Sequence, residues 1–527
     1  MLMIQREAQD EPMTNVILNS VRKTALENPG APIHRMAGAR EVTYGQAWDM
    51  AGRIAGKLRE KTSGREPVMV YGHKSSLMVV SFLACLRAGH AFVPIDSELP
   101  NSRVVDIARQ LDFPPIICAE QAPCDLLEAM PANRFLSAAD AANGGGSVED
   151  EPEDLWVSGE ETHYIIFTSG STGVPKGIEI TANNIERFAA WMKTFPVVRE
   201  GGAVFLDQAP YSFDLSEYQV VGALVTGGCL HAVSAETTHD YGLLFSDLRG
   251  SQVDVWISTP SFADMCLVDP SFSQDILPHA RLFLFCGETL HHRTARALRQ
   301  RFDRALVVNT YGPTESTVAV TYAEIGEADL NSEDPLTVGS ARPGTELRII
   351  DPETGERKPA GESGEIVIVG DTVAKGYYRS PDKTAAAFFA AHLSDETPVR
   401  GYRTGDQGSL DERGNLRFEG RLDHLVKMNG FRIELGDIEC NLMSLEGVEQ
   451  AAVIPVIRND QIRSLKAFVV MNSACELDGL ELAQDLKARL AGRIPAYMVP
   501  RAFCRLQSMP LTPNAKIDRR ALAAMGR

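Results

Sequence analysis

Short apolar runs alternate with amphipathic stretches along the first part of the chain. After Thr43, a typical N-cap residue, apolar residues recur with helical spacing as far as Leu58 and predict a helix. Pro67–Tyr71 and Phe92–Ile95 read as buried strands, with an apolar helix over Ser76–Ala88 between them. Strands that alternate with helices in this way predict parallel sheets covered by helices, which is an α/β fold.

The same alternation continues further along the chain. The pattern predicts further strands at Tyr164–Phe167, Ala203–Leu206, 253–260, 282–288 and Ala305–Val308. The stretch from Gly364 to Tyr378 is rich in strand-forming residues. A charged turn, two short strands separated by a glycine turn, and the start of a helix follow between Gly420 and Gly436, where we place a domain boundary. The expected organisation is a large N-terminal domain, residues 1–420, and a small C-terminal α+β domain, residues 421–527.

Length and composition narrow the class of protein. A chain of 527 residues is too long for one ordinary hydrophobic core, so at least two domains are expected. Hydrophobic residues make up 44% and charged residues 23% of the chain, which is typical of a globular enzyme. The net charge of −18 argues against nucleic acid or an anionic membrane as the main partner.

The cysteines and the N-terminal sequence indicate the cellular compartment in which the protein is expected. Nine cysteines, an odd number without a Cys-x-x-Cys pair, favour free thiols over disulfides or a zinc site. The first twelve residues lack the apolar core of a signal peptide, and the apolar run Leu77–Leu86 is too short to span a bilayer. We therefore expect a cytoplasmic protein that is not embedded in a membrane.

The strongest chemical signal is the loop that follows Phe167. Four hydroxyl residues and two glycines are interleaved before the single Lys176, and a third glycine, Gly177, follows it. Glycines let backbone N–H groups approach an anion, hydroxyls donate further hydrogen bonds, and the lysine adds a charge. A Walker A loop does not fit, because Gly177 rather than Ser or Thr follows the lysine and a strand rather than a helix comes next. The loop therefore predicts a phosphate-binding site; a plain Gly/Ser linker is the alternative.

A single carboxylate interrupts an otherwise apolar segment at Asp214, between Phe213 and Leu215. A desolvated carboxylate persists only when it is paired, and an α-ammonium group would serve as its partner. Asp214 could instead simply cap the helix that follows it. Cys286 lies at the end of another predicted strand, where open α/β sheets bind ligands, although it could equally be a core residue.

A second motif, Asn309 to Thr317, combines an aromatic ring, a hydroxyl and a carboxylate in sequence. Tyr311, Thr314 and Glu315 suit stacking on adenine, bonding to phosphate and holding Mg²⁺, respectively. A plain turn at Gly312 and Pro313 is the alternative. Further on, Asp406 follows a glycine and Lys516 lies in a predicted turn, and local sequence alone would leave both as ordinary surface residues.

These motifs, in this order, resemble those of the adenylate-forming enzymes: acyl-CoA synthetases, luciferases and the adenylation domains of nonribosomal peptide synthetases. Within that superfamily the chain is most similar to the stand-alone D-alanine–carrier protein ligases. The similarity extends beyond the nucleotide motifs to the segments around Asp214, Trp256 and Cys286. One departure is Ala515, which stands where the terminal lysine motif usually has a glycine.

The resemblance assigns roles residue by residue. Lys516, Lys176 and Glu315 are implied as the catalytic residues, Glu315 as the metal ligand and Asp423 as the hinge of a rotating C-terminal domain. The implied nucleotide-binding residues are Thr168, Ser169, Gly170, Ser171, Thr172, Gly173, Lys176, Gly287, Glu288, Asn309, Thr310, Tyr311, Gly312, Thr314, Asp406, Arg421 and Lys516. The implied amino-acid pocket consists of Asp214, Leu215, Tyr218, Ser258, Leu284, Cys286, Thr310, Val318 and Ala319.

The resemblance also implies the reaction. A small amino acid, with D-alanine as the first expectation, would react with ATP and Mg²⁺ to give an aminoacyl-adenylate. The aminoacyl group would then pass to the phosphopantetheine thiol of a separate carrier protein. Adenylation of L-alanine, proline or another small amino acid stays open, as does a nucleotide-binding regulator without catalysis. Asp214 disfavours a fatty or aryl acyl-CoA ligase, because those enzymes generally lack this carboxylate.

Overall fold

The computed structural model describes residues 15–144, 152–170, 173–332, 334–422, 425–458, 461–472, 475, 477–510 and 517–525. These residues form a mixed α/β protein, so the predicted fold class is confirmed. Across these ranges, none of the helices combines the length and the apolar character needed to cross a membrane.

A seven-stranded sheet carries the predicted phosphate loop. Its first two pairings are antiparallel and the others are parallel. Across the sheet the strands are Gly376–Tyr377, Lys176–Thr181, Thr162–Thr168, Phe92–Ile95, Val68–Tyr71, Ile116–Cys118 and Phe135–Ser137.

A nine-stranded sheet forms the other large layer. Six central strands are parallel and mostly buried, which explains why they read as continuous apolar runs rather than as alternating patterns. In spatial order the strands are Ser340–Ala341, Thr321–Glu324, Leu306–Asn309, Leu282–Phe285, Val255–Ser258, Val204–Asp207, Cys229–Ala232, Pro32–Met36 and Val42–Thr43.

Helices pack against both sheets, and the two that are predicted after Thr43 and over Ser76–Ala88 begin where the sequence indicates. Thr43 caps Tyr44–Arg59 and Thr181 caps Ala182–Met192, each in a reciprocal capping box, and Ser75 caps Ser76–Arg87. The other α-helices of this region are Val16–Glu27, Asn101–Gln110, Cys124–Ala129, Ala138–Asn143, Pro196–Arg199, Ser216–Leu224, Ala235–His239, Tyr241–Gly250, Pro260–Leu267, His292–Arg301, Glu327–Asn331 and Pro381–Ala387. Short 3₁₀ turns occur at Ala132–Arg134, Glu153–Leu155 and Thr314–Ser316.

A third, antiparallel sheet follows in the chain and ends at the predicted domain boundary. It consists of Thr345–Ile350, Gly364–Gly370, Pro398–Leu410, Phe388–His392 and Leu416–Arg421. The long strand Pro398–Leu410 contains Asp406, which pairs across the sheet with Arg421.

The described residues from Leu425 onward, which we call the small unit, have hydrophobic cores of their own. A hairpin of Leu425–Met428 and Phe431–Glu434 leads into the helix Leu435–Met443, much as the sequence predicts. A three-stranded sheet follows, with the helices Gly479–Ala491 and Arg519–Met525 and a 3₁₀ turn at Ala496–Met498. The strands of this sheet are Val448–Arg458, Gln461–Met471 and Ala502–Leu506.

Candidate active site

A cleft lies where the small unit meets the rest of the protein, and its empty space, together with the solvent space at its mouth, amounts to about 460 Å³. Residues from several predicted motifs share it, although two of them, Asp214 and Arg421, are 207 positions apart along the chain. Its walls consist of Phe213, Asp214, Leu215, Cys286, Gly287, Gly312, Pro313, Thr314, Val318, Asp406, Arg421, Lys427, Gly430 and Arg432.

The predicted phosphate loop joins the antiparallel strands Thr162–Thr168 and Lys176–Thr181. A side chain at Gly170 would collide with the carbonyl of Val174, so this close turn requires glycine. The hydroxyl of Ser169 donates to the carbonyl of Arg432 at 2.9 Å. The small unit therefore contacts the loop directly. Ser171 and Thr172, two of the predicted phosphate ligands, lie outside the described residues.

Glu315 is fully buried and lies at the centre of a charged network. Arg432 Nη1 donates to one carboxylate oxygen at 2.6 Å, and the Tyr377 hydroxyl donates to the other at 2.9 Å. Lys176 Nζ lies 3.8 Å from Glu315 and 3.0 Å from Glu434. Burial alone would raise the pKa of Glu315, but the charges of Arg432 and Lys176 outweigh it and lower the pKa to about 2. Glu315 is therefore ionised throughout the physiological range.

Asp406 is almost fully buried beside the predicted adenine-stacking ring. The hydroxyl of Tyr311 donates to Asp406 Oδ2 at 2.5 Å, and Arg421 Nη1 donates to Oδ1 at 2.7 Å. Asn309 donates to the carbonyl of Thr337 at 2.9 Å, and its own buried Oδ1 has no hydrogen-bond partner among the described residues. Asp406, Tyr311 and Arg421 thus form one connected group at the cleft.

Asp214 faces the cleft, and its carboxylate does not cap the helix that follows. That helix, Ser216–Leu224, has Leu215 at its N-cap and no side-chain capping bond. Burial raises the pKa of Asp214 to about 6, although the Thr314 hydroxyl and the charge of Lys427 oppose the rise. Among the residues that the structure describes, no cation forms an ion pair with Asp214, and a buried carboxylate of this kind is the environment expected for an ammonium receptor.

Cys286 and Val318 form a wall of the cleft next to Asp214. The Cys286 thiol lies 3.8 Å from the carbonyl of Val318, and burial raises the pKa of this thiol. A neutral buried thiol is a poor nucleophile, so Cys286 shapes the wall and does not attack substrate. Thr317 and Val318 both have left-handed backbone, with φ of 60° and 68°. For β-branched residues this conformation is strained, and such strain is typical of functional sites.

Other residues of the predicted amino-acid pocket lie behind these walls. The Tyr218 hydroxyl donates to Thr310 Oγ1 at 3.1 Å, and the Tyr218 ring packs 5.2 Å from that of Phe188. Ser258 accepts from Trp256 Nε1 at 2.8 Å and donates to the carbonyl of Thr259. Leu284 and Ala319 are also fully buried outside the lining set. In this arrangement these residues support the pocket rather than line it.

Glu288 holds the small unit in place over the cleft. Its Oε1 accepts from the N–H of Gly430 at 2.9 Å, and its Oε2 accepts from the N–H of Ser261 at 3.2 Å. Gly287, with φ of 91°, lines the cleft beside it. A side chain at Gly430 would collide with Thr259, so only glycine permits this approach.

The hairpin of the small unit carries site residues that the sequence analysis does not single out. Asn429 and Gly430 have φ of 51° and 83°, as a tight two-residue hairpin turn requires. Lys427 and Arg432 lie directly opposite each other across the hairpin, and both line the cleft. Like charges in this position repel unless an anion offsets them. Glu315 offsets the charge of Arg432 here, so the two facing cations in the hairpin indicate an anionic neighbour without identifying it.

Besides Ser171 and Thr172, two more predicted residues, Lys516 and Asp423, lie outside the described residues. The described residues that follow Lys516 belong to the small unit: Ile517 packs against its smaller core, and Arg519 donates to Glu439 at 2.6 Å. The roles of Lys516 and Asp423 stay predictions.

The sequence matches two families of known proteins. Residues 21–378 match the AMP-binding enzyme family, and residues 437–516 match the AMP-binding enzyme C-terminal domain. The D-alanine–D-alanyl carrier protein ligase of Bacillus licheniformis is 41% identical over 508 residues, which cover 96% of this chain and 98% of that protein. A protein of the same name from Listeria welshimeri is 38% identical and covers 97% of this chain and 99% of its own.

Solved structures with the same fold include two adenylation proteins. Holo-PA1221, a nonribosomal peptide synthetase protein with adenylation and PCP domains bound to a vinylsulfonamide inhibitor, superposes with a TM-score of 0.80 at 27% identity. The match covers 97% of this chain and 84% of that one. The Vibrio cholerae adenylation domain AlmE, in complex with glycyl-adenosine-5′-phosphate, gives 0.79 at 23% identity over 99% of each chain and supports the fold alone.

Proposed function

Because the chain belongs to the family of AMP-binding enzymes, we propose that it is a ligase that activates D-alanine with ATP. The aminoacyl group would then pass from the adenylate to the phosphopantetheine thiol of a separate carrier protein. The observation that carries this proposal is that the buried carboxylate of Asp214 lines the same cleft as Asp406, which accepts a hydrogen bond from Tyr311. The full-length similarity to proteins named D-alanine–D-alanyl carrier protein ligase supports the choice of amino acid and of acceptor.

In the first half-reaction, a carboxylate oxygen of the amino acid attacks the α-phosphorus of ATP. The bond from that phosphorus to the bridging oxygen breaks, and pyrophosphate leaves with the electron pair. We assign Lys176 and the backbone of its loop to the leaving pyrophosphate, and Asp406 to the ribose hydroxyls beside Tyr311. Lys516 would bridge the substrate carboxylate and the α-phosphate, a role that rests on the resemblance of its motif. Positioning and charge neutralisation supply most of the catalysis, so no covalent enzyme intermediate is needed.

The donor set also fits a divalent cation. Glu315 is a buried carboxylate that stays ionised, and a hard oxygen ligand of this kind is the type that Mg²⁺ prefers. When bound, Mg²⁺ would offset part of the phosphate charge. In the present arrangement Arg432 provides the countercharge to Glu315 instead.

The second half-reaction forms a thioester and releases AMP. We propose that residues 421–527 rotate as a lid against residues 1–420, with the hinge at Asp423. The arrangement described above suits this second step, because Lys176 is paired with Glu434 and Glu315 is paired with Arg432. Those are the groups that the triphosphate and its metal would need in the first step.

The preference for D-alanine rests on the wall next to Asp214. With the ammonium fixed by Asp214, we expect Cys286 and Val318, which line the cleft, to accommodate a methyl-sized side chain and to clash with a larger one. Chirality depends on which side of the Asp214–ammonium axis the methyl group occupies. Tyr218 is buried behind the pocket with its hydroxyl on Thr310, and its bulky ring limits how far the pocket extends.

The test is amino-acid-dependent exchange of labelled pyrophosphate into ATP with D-alanine, L-alanine, glycine and L-proline side by side. We expect kcat/KM to be highest for D-alanine, followed by loading of a phosphopantetheinylated carrier protein added in trans. A tenfold preference for L-alanine or L-proline would refute the substrate and leave the reaction class. Absence of exchange with every amino acid would refute the reaction itself.

A further inference from the structure

A buried ion pair joins the small unit to the rest of the protein beside the phosphate loop. Arg103 Nη2 lies 3.0 Å from Asp437 Oδ2, and the two side chains are 7% and 0% exposed. Arg103 Nη1 also donates to the carbonyl of Gly173 in the phosphate loop at 3.2 Å. One guanidinium therefore touches both the loop and the small unit.

Local structure does not explain this arginine. Arg103 lies in the first turn of the helix Asn101–Gln110, where the helix dipole disfavours a cation. Burial of a charged pair also costs desolvation energy, so a buried ion pair is weak evidence of a role in stability. Asp437, by contrast, lies in the first turn of the helix Leu435–Met443, where an anion is favoured. The two helices thus meet at their N-termini around the loop.

Further contacts show that this is a docking point between the two parts of the protein. The hydroxyl of Ser102, next to Arg103, donates to the carbonyl of Gly492 in the small unit at 2.8 Å. A side chain placed on Gly173 would lie 3.1 Å from Cys440 Cβ, so the phosphate loop packs against the helix that carries Asp437.

Asp437 and Glu434, two carboxylates of the small unit, contact groups of the phosphate-binding region that a triphosphate would use. Glu434 lies 3.0 Å from Lys176 Nζ. Burial raises the pKa of Asp437, and the charge of Arg103 and the N–H of Gly170 oppose that rise, so Asp437 faces the backbone of the loop. Two carboxylates of the small unit thus lie where anionic phosphate oxygens would bind.

We propose that Arg103 is a positioning residue for the transfer step. Through its ion pair with Asp437, Arg103 would stabilise the docking of the small unit on the phosphate loop after pyrophosphate has left. This inference rests on the proposed function. Arg103 provides the countercharge that lets Asp437 enter the loop in place of a phosphate. The contact exists only when the small unit is docked, so it favours thioester formation and is absent while the triphosphate is bound.

The first test separates the two half-reactions. Asp437→Asn keeps the shape of the side chain and removes its charge. We expect carrier loading to fall about tenfold or more, while pyrophosphate exchange at saturating ATP stays within about twofold, because only the docked arrangement contains the pair. Asp485→Asn, which removes a carboxylate from the Arg489 pair inside the small unit, is the matched control and should change neither rate. Equal loss of both half-reactions in Asp437→Asn, or loss of neither, would overturn the proposal.

A double-mutant cycle tests the pairing itself. Arg103→Met and Asp437→Asn should each slow loading, and the double variant should be no slower than the worse single variant, because the interaction can be lost only once. If the two effects multiply in the double variant, the residues act independently and the proposal is wrong.

Nucleotide binding gives a readout that needs no turnover. Because docked Asp437 competes with phosphate for the loop, Asp437→Asn should bind a non-hydrolysable ATP analogue severalfold more tightly, by calorimetry, with no change for AMP. Equal affinities of the variant and the unaltered protein for the analogue would refute the role of Asp437. This result decides the inference even if the unaltered protein shows no exchange with any amino acid, an outcome that would refute the proposed function alone.

Discussion

Asp214→Asn should abolish most activity and at the same time make the protein more stable. Among the described residues no cation forms an ion pair with this buried carboxylate, so we expect the substrate ammonium to provide its countercharge. Loss of one partner of a buried charged pair costs about 2 to 5 kcal/mol, which corresponds to a fall in kcat/KM for the amino acid of about thirty-fold to several thousand-fold. The KM for ATP should change little, because the nucleotide motifs stay intact.

The gain in stability follows from the pKa of the same group. Burial raises the pKa of Asp214 from 3.8 to about 6, so the native state holds this proton to a higher pH than the unfolded state does. The unaltered protein therefore loses stability from this group as pH rises between these two values, by about 3 kcal/mol at pH 6 and above. Asparagine cannot ionise and avoids that loss. The difference in the free energy of unfolding between the variant and the unaltered protein should be absent below pH 4, about half of its full value at pH 5 and complete at pH 7.

Two measurements check this reasoning on one pair of proteins. Urea unfolding at pH 5 and pH 7.5 gives the stability difference, and pyrophosphate exchange as a function of pH gives kcat/KM. In the unaltered protein kcat/KM for the amino acid should rise as pH increases through about 6, as Asp214 ionises. A variant that is less stable than the unaltered protein at pH 7.5, or that retains its kcat/KM, would refute the assignment of Asp214 as the ammonium receptor.

Three further substitutions test other parts of the proposed mechanism. Tyr311→Phe removes the hydroxyl that donates to Asp406 at 2.5 Å but keeps the ring, so the KM for ATP, read from initial rates, should rise about tenfold; an unchanged KM would contradict the proposed nucleotide site. Lys516→Ala should slow pyrophosphate exchange by about 10²- to 10³-fold with an unchanged circular dichroism spectrum, and near-normal exchange would exclude the lysine from the first step. Asp423→Pro fixes φ at the proposed hinge, so exchange should survive while carrier loading collapses; equal loss of both in a folded variant would mean that the hinge lies elsewhere.

Much of the large fold could be predicted because its signals are local. Thr43 marks a helix start through its own hydroxyl, and buried parallel strands such as Leu282–Phe285 read as apolar runs. The structure was needed to choose between the two interpretations of Asp214, because a carboxylate that caps a helix and a buried carboxylate that binds an ammonium group can have the same local sequence. The roles of Arg103 and Arg432 could not be predicted from the sequence, because their partners, Asp437 and Glu315, are 334 and 117 positions away along the chain. No periodicity reports contacts of that kind.

The left-handed backbone at Thr317 and Val318 has a consequence for changing the substrate by directed evolution. Each residue stores on the order of 1 kcal/mol or more of conformational strain, which the surrounding packing must offset. Replacing Val318 by another side chain keeps that strain, and glycine would relax the backbone and let the wall move as well as widen it. Cys286 is different: it follows the regular strand Leu282–Phe285, so a smaller or larger residue there changes the volume of the pocket on an unchanged backbone. We expect variant libraries randomised at Cys286 to yield active enzymes with new side-chain preferences more often than libraries randomised at Val318.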